Sequence, residues 1–126
     1  MRLLDVEVVD GICRFRPREN CSLVEAVDVI GDAIDYCRDH HIAKLLVNAT
    51  GLVGLPVPSL VDRFLFIEDF AQRANKQVVL ALVIHADYIH PQKFGVKAAA
   101  DFGMLLDVFT SEAHALEWLA SLDGPA

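Results

Sequence analysis

The chain has 126 residues, 54% of them hydrophobic and 23% charged, with a net charge of −7. That length fits one domain with a real core, and the acidic balance, which repels phosphate backbones and anionic lipid heads, argues against nucleic acid as a partner. The longest apolar run, Val78 to Ile84, is far too short to cross a bilayer.

The opening MRLLDVEVVD places acids where a secretion signal needs its apolar segment, so the expected location is the cytoplasm. Residues 3–9 read as a strand, Asp10-Gly11 as a hairpin turn and Ile12 to Arg16 as the return strand, stopped by Pro17 and RENCS. Arg14, Arg16 and Arg18 alternate and so share one face. An exposed strand face and an anion-binding face both fit them. Ser22 with Glu25 three residues later forms a capping box, and Val27, Ile30, Ile34 and Cys37 then recur at helical spacing as far as about His40. His40 and His41 fall at the helix end, where a cation complements the dipole.

KLLVNA, from Lys44, is a fully apolar strand. The connection that follows runs through Gly51, Gly54, Pro56 and Pro58 to Ser59 without one charged side chain. Ser59 caps a helix to about Ala74, with Leu60, Phe64, Ile67, Ala71 and Ala74 as its expected core stripe. Seven of the eleven residues from Leu60 to Phe70 are apolar, against about three in seven for a helix with one buried face. Val61, Leu65 and Phe66 are the surplus. The aliphatic run to Ile84 suits a central strand covered on both faces. HADYIHPQKFG is a loop, a third helix runs from about Pro91 to Phe102, and Leu105 to Phe109 is a short strand. Thr110 or Ser111 caps a last helix to about Leu119, with Glu112 well placed for its dipole. The order β-β-α-β-α-β-α-β-α describes a single α/β domain, core about residues 3–119, with a mixed, mostly parallel sheet flanked by helices.

Chemical motifs are weak. Cys13, Cys21 and Cys37 are odd in number and lack C-x-x-C spacing, which argues against a disulfide framework and a zinc site; Cys37 falls on a core stripe. Neither Cys13 nor Cys21 has a histidine placed beside it by sequence, so no nucleophile is assigned. The NAT sequon at Asn48 has no meaning without secretion. GLVGLPVPS precedes a helix but lacks the lysine of a phosphate loop, and its prolines remove donors. His85, Asp87 and His90 have metal-binding chemistry, but no helix or strand spacing fixes them together. No metal, no cofactor and no catalytic residue is assigned.

The opening hairpin, the strand and turn KLLVNATGL, and the ending LDVFTSEAHALEWL together resemble the STAS superfamily (sulfate transporter and anti-sigma factor antagonist), in particular small stand-alone bacterial SpoIIAA-like proteins. The resemblance spans about Leu3 to Leu119 and implies a STAS-like fold. It also implies a non-enzymatic binding or regulatory module that acts through protein contact. In the family's antagonists a serine within an Asp-Ser-Ser-Gly pattern, at the start of the helix after this loop, is phosphorylated. Here that place reads Pro56, Val57, Pro58, Ser59, so Ser59 is either a phosphorylation site or only a helix cap. The fold also resembles that of lipid-carrier domains, which keeps a small hydrophobic ligand as the alternative.

In open α/β sheets, ligands favour the carboxyl ends of parallel strands. Three loops answer that description: Thr50 to Pro58, His85 to His90, and Phe109 to Ser111. They and the strand end before them offer Asn48, Thr50, Ser59, His85, Asp87, Tyr88, His90 and Thr110 as polar contacts. Leu52, Leu55, Val57, Val61, Leu65 and Phe66 form one expected apolar surface. A homodimer partner, a small apolar ligand and burial under the next helix would each cover it.

Overall fold

Asp10 and Gly11 both take positive φ, 54° and 78°, the backbone of a tight two-residue hairpin turn. In the computed structural model, which describes residues 6–89 and 91–122, this turn joins β1 (Val6–Val9) to an antiparallel β2 (Ile12–Phe15). Residues 3–5 of the expected first strand lie outside the described residues.

From β2 onward the chain alternates. Helix α1 (Leu23–Asp39) leads to β4 (Lys44–Asn48), α2 (Leu60–Ala74) to β6 (Val79–Val83), and α3 (Phe94–Asp101) to β7 (Leu106–Phe109); α4 (Glu112–Ser121) closes the chain. Two short segments, β3 (Glu19–Asn20) and β5 (Leu52–Val53), pair with each other in parallel, apart from the main sheet. The main sheet has five strands in the order β1-β2-β4-β6-β7, parallel from β2 on. This is the expected mixed α/β sheet, with two small strands added.

Register sorts the core into two layers. Cys13, Leu45, Leu80 and Leu106 lie in one row across the sheet and join the larger cluster with α1, α2 and α3. One residue along, Leu46 and Ala81 point the other way, because successive strand side chains alternate faces. They pack with Ile12, Val83, Ala115 and Leu119 beneath α4. The apolar runs of β4 and β6 thus reflect burial on both faces. Among the described residues, no helix is long and apolar enough to cross a membrane.

The helix caps follow their sequence signals. Ser22 Oγ accepts from Glu25 N at 3.2 Å and the Glu25 carboxylate accepts from Ser22 N at 2.9 Å. Ile30, Ile34 and Cys37 are buried, while Val27 is only half-buried. His40 caps the end of α1, its Nδ1 donating to the Tyr36 carbonyl at 2.8 Å. Across the groove between α1 and α2, the Arg73 guanidinium bridges Asp35 at 2.7 Å and Asp69 at 3.0 Å. It lies against Gly31, where a Cβ would come within 2.8 Å of it.

Two expectations are corrected. The third helix starts at Phe94 rather than Pro91: Ala86–Tyr88 form a 3-10 turn, and Lys93 sits at φ 50°, a left-handed conformation through which an α-helix does not propagate. On α2, Leu60 and Phe64 are exposed rather than core, and the buried residues are Ile67, Phe70, Ala71 and Ala74. Only the second half of α2 is seated on the sheet side. Its first half turns Arg63 and Phe66 inward, over a space the core does not fill.

Candidate functional site

That space is a cavity of about 140 Å3 on the α1–α3 side of the sheet, near the carboxyl ends of the parallel strands. Its floor is the row Leu82 and Val108, with Leu106 and Ile84. Val27 and Ile30 of α1 form one wall and Phe66, Ile67 and Phe70 of α2 another. The start of α3 contributes Gly95 and Val96, and the two loops at the rim contribute Leu55, Pro56, Pro58, His85, Tyr88 and Ile89.

Hydrogen bonds tie the rim together. Tyr88 Oη donates to the Leu55 carbonyl at 2.7 Å, and Arg63 Nη1 donates to the Tyr88 carbonyl at 2.8 Å. His85 Nε2 lies 3.2 Å from the Thr50 carbonyl. Lys93, also on the rim, donates through Nζ to Asp107 at 2.9 Å. The glycine-proline connection is therefore anchored to the loop after β6 by His85 and Tyr88, and that loop is anchored to α2 by Arg63.

The expected apolar surface divides in two. Leu52 is a correction: as part of β5 it is buried in the core and lines the cavity instead of facing outward. Leu55 and Phe66 also line the cavity. Val57, Val61 and Leu65 do face solvent, joined by Leu60 and Phe64, and Phe64 meets Phe102 edge-on at 5.2 Å between ring centroids. A helix shows residues i, i+3 and i+4 on one face, so Leu60, Val61, Phe64 and Leu65 form a continuous stripe, opposite to the one that borders the cavity.

The expected polar contacts divide as well. Asn48 and Thr50 belong to a network at the start of α4, across the sheet from the cavity floor. Asn48 Nδ2 donates to Glu112 at 2.7 Å and its Oδ1 accepts from Thr50 Oγ1 at 2.6 Å and from Thr50 N at 3.0 Å. Arg16 meets the same Glu112 carboxylate with two N–H donors, at 2.7 and 3.0 Å. This ion pair accounts for one of the three alternating arginines. Asp87 is exposed and not part of the cavity lining, while His90 lies outside the described residues. Among the described residues, no group of three His, Cys, Asp or Glu side chains is placed to hold a metal. Ser59 is the N-cap of α2: its Oγ accepts from Asp62 N at 3.1 Å and Asp62 Oδ2 accepts from Ser59 N at 3.2 Å. Ser111, rather than Thr110, caps α4.

The Arg16 hydrogen bond, opposed by partial burial and helped by Asn48, holds the Glu112 carboxyl below its ordinary 4.5. A carboxyl depressed in the folded state stabilises the fold above its unfolded pKa and loses that contribution as pH falls through the folded value. Glu112→Gln is therefore expected to flatten the acid limb of stability below about pH 4.5. Its cost near neutrality should stay under about 1 kcal/mol, since Arg16 is well exposed to screening solvent. Urea titrations of both proteins between neutral and acid pH check this; parallel acid limbs would refute it.

All three cysteines are buried free thiols. A hydrogen bond with Cys13, together with burial, pushes the Cys37 thiol up, away from the thiolate that nucleophilic chemistry needs.

The residues that sequence reasoning passed over are Arg63 and Lys93. A single cation among the seven apolar residues of Leu60 to Phe70 was the available signal for the first.

No family model matches the chain, and no curated protein matches it. Solved structures do. The crystal structure of an anti-sigma factor antagonist from Mycobacterium paratuberculosis superposes with a TM-score of 0.59 at 14% identity over 94% of each chain. The NMR structure of the protein TM1081 gives 0.52 at 11% identity, over 97% of this chain and 92% of that one. At such identities the likeness is one of architecture: this chain has the fold of an anti-sigma factor antagonist, the STAS-like fold that the sequence resemblance implies.

Proposed function

We propose that the protein is a non-enzymatic regulatory module that works by protein–protein contact and associates with itself through the outer face of α2. One observation carries this reading. Leu60, Val61, Phe64 and Leu65 are 51%, 69%, 43% and 53% exposed on one stripe of α2, and Val57, shortly before the helix, is 59% exposed. Large apolar side chains gathered in one exposed patch mark contact surfaces, and the patch is apolar because burial against a partner would remove it from water. The likeness to an anti-sigma factor antagonist supports a regulatory role without catalysis.

Sedimentation velocity over a concentration series tests the proposal. The wild type is expected to dimerise, and the double substitution Val61→Asp, Leu65→Asp to sediment as a monomer. Both positions are exposed, so thermal unfolding of the variant should match that of the wild-type monomer. A wild type that stays monomeric throughout would overturn the homodimer.

The cavity favours a second reading, a carrier or sensor of a small apolar ligand. At about 140 Å3 it is close in size to an engineered apolar cavity that binds benzene, roughly 150 Å3. Its walls are aliphatic and aromatic, as in most small-molecule sites.

A further inference from the structure

We propose that the cavity takes a small carboxylic acid, its apolar body between α1 and α2 and its carboxylate on Arg63. This rests on the apolar-ligand reading and adds the chemistry of the head group.

The argument starts from where α2 puts its charge. Arg63, Phe66, Ile67 and Phe70 follow helical spacing on one side of α2, and all four line the cavity. A guanidinium among such side chains loses part of its hydration and needs compensation. Four other cations find it in carboxylates, while Lys44, like Arg63, donates to a backbone carbonyl. Arg16 pairs with Glu112, Arg38 with Asp35 and Asp39, Arg73 with Asp35 and Asp69, and Lys93 with Asp107. Among the described residues Arg63 pairs with no carboxylate; its one hydrogen bond goes to the Tyr88 carbonyl at 2.8 Å. This occurs in a chain with 18 acidic residues against 11 lysines and arginines, where an acid partner is easily supplied. A guanidinium has five N–H donors in a planar fork that fits a carboxylate with two parallel bonds. One is engaged by Tyr88, which leaves enough for such a fork.

The rest of the rim narrows the head group further. Lys93 is already matched by Asp107, and the Tyr88 hydroxyl is already donating to the Leu55 carbonyl. Among the described residues lining the rim, the lysine or arginine left without a carboxylate is Arg63. A neutral alcohol of the same shape gains the apolar contacts and only a weak hydrogen bond there. A carboxylate gains a charge-assisted pair in a partly dehydrated place, where such bonds are about twice as strong as neutral ones.

Matched probes decide the matter. Octanoate and 1-octanol share one apolar chain and differ in the head, and their affinities can be measured on the full chain by NMR titration. Octanoate is expected to bind at least about tenfold tighter than 1-octanol, the difference a charged hydrogen bond makes. Arg63→Gln should abolish the preference of octanoate over 1-octanol, whereas Lys93→Gln should keep it. Equal binding of both probes to the wild type would overturn the carboxylate proposal and leave the apolar ligand reading standing. Binding of neither would overturn both. The comparison on the wild type decides even if Arg63→Gln does not fold.

Discussion

Leu46→Ala is expected to lower the free energy of unfolding by about 3–4 kcal/mol and the melting temperature by roughly 10 °C. Leu46 has no solvent exposure and sits in the smaller of the two core layers, against Ile12, Ala81, Val83, Ala115 and Leu119. A truncated leucine leaves a void whose cost depends on whether neighbours can close it. Here they are poorly able to. Ala81, its partner in register on β6, and Ala115 on α4 are already small, and β4 is held between β2 and β6 by hydrogen bonds on both sides. Among the described residues α4 is the helix that packs on this layer, so the same substitution should raise the hydrogen exchange of α4 amides ahead of those of α1. Chemical denaturation gives the first quantity and exchange mass spectrometry the second. A loss under about 1 kcal/mol would mean that α4 is not seated on Leu46.

Gly54→Val is expected to cost about 2–3 kcal/mol and to loosen the loop as it does so. Gly54 holds φ at +83°, where a β-branched side chain is strained. Space is short too: a Cβ there would lie 2.5 Å from Asn20 Oδ1, on the short strand that pairs with Leu52–Val53. The Asn20 side chain can swing aside, but the φ strain stays in the backbone next to β5. Leu55, whose carbonyl receives the Tyr88 hydroxyl, follows at once, so the strain is delivered to the cavity rim. The check is a melting curve alongside limited proteolysis of the loop. An unchanged melting temperature would show that the loop relaxes without disturbing its anchors.

The sheet was legible because its signals are local. Asp10-Gly11 gives the hairpin turn, and the unbroken apolar runs of β4 and β6 can only be satisfied by burial on both faces. The Ser22 cap of α1 was equally plain, with Glu25 three residues on, whereas Ser59 at α2 stayed open between a cap and a phosphorylation site. The seating of α2 was not legible. With seven apolar residues among Leu60 to Phe70, two stripes compete, one through Leu60 and Phe64 and one through Phe66 and Phe70. Which turns inward is set by where α1 and α3 stand, a long-range matter that periodicity cannot decide. Arg63 escaped for a related reason: an arginine on a helix reads as a solvent-facing charge until the neighbours of its face are known. Leu52 was assigned to the surface because a two-residue strand has no period to reveal. The polar candidates scattered because Asn48 and His85 leave the ends of adjacent strands toward opposite sides of the sheet.

Among the described residues, the hairpin is the one pairing in the main sheet closed by a tight turn; every other joins distant segments: Ile12 with Lys44, Lys44 with Val79, Leu80 with Leu106. Each of those closures must give up chain entropy before any of its contacts form. The consequence is temporal. The chain can make β1–β2 and its helices early, but the layer that floors the cavity exists only after three long loops have closed. Its folding therefore belongs with the slower mixed α/β domains, not with the fast helical ones. Until the last closure, the apolar strands that end up covered on both faces are open to the same strands of a neighbouring copy.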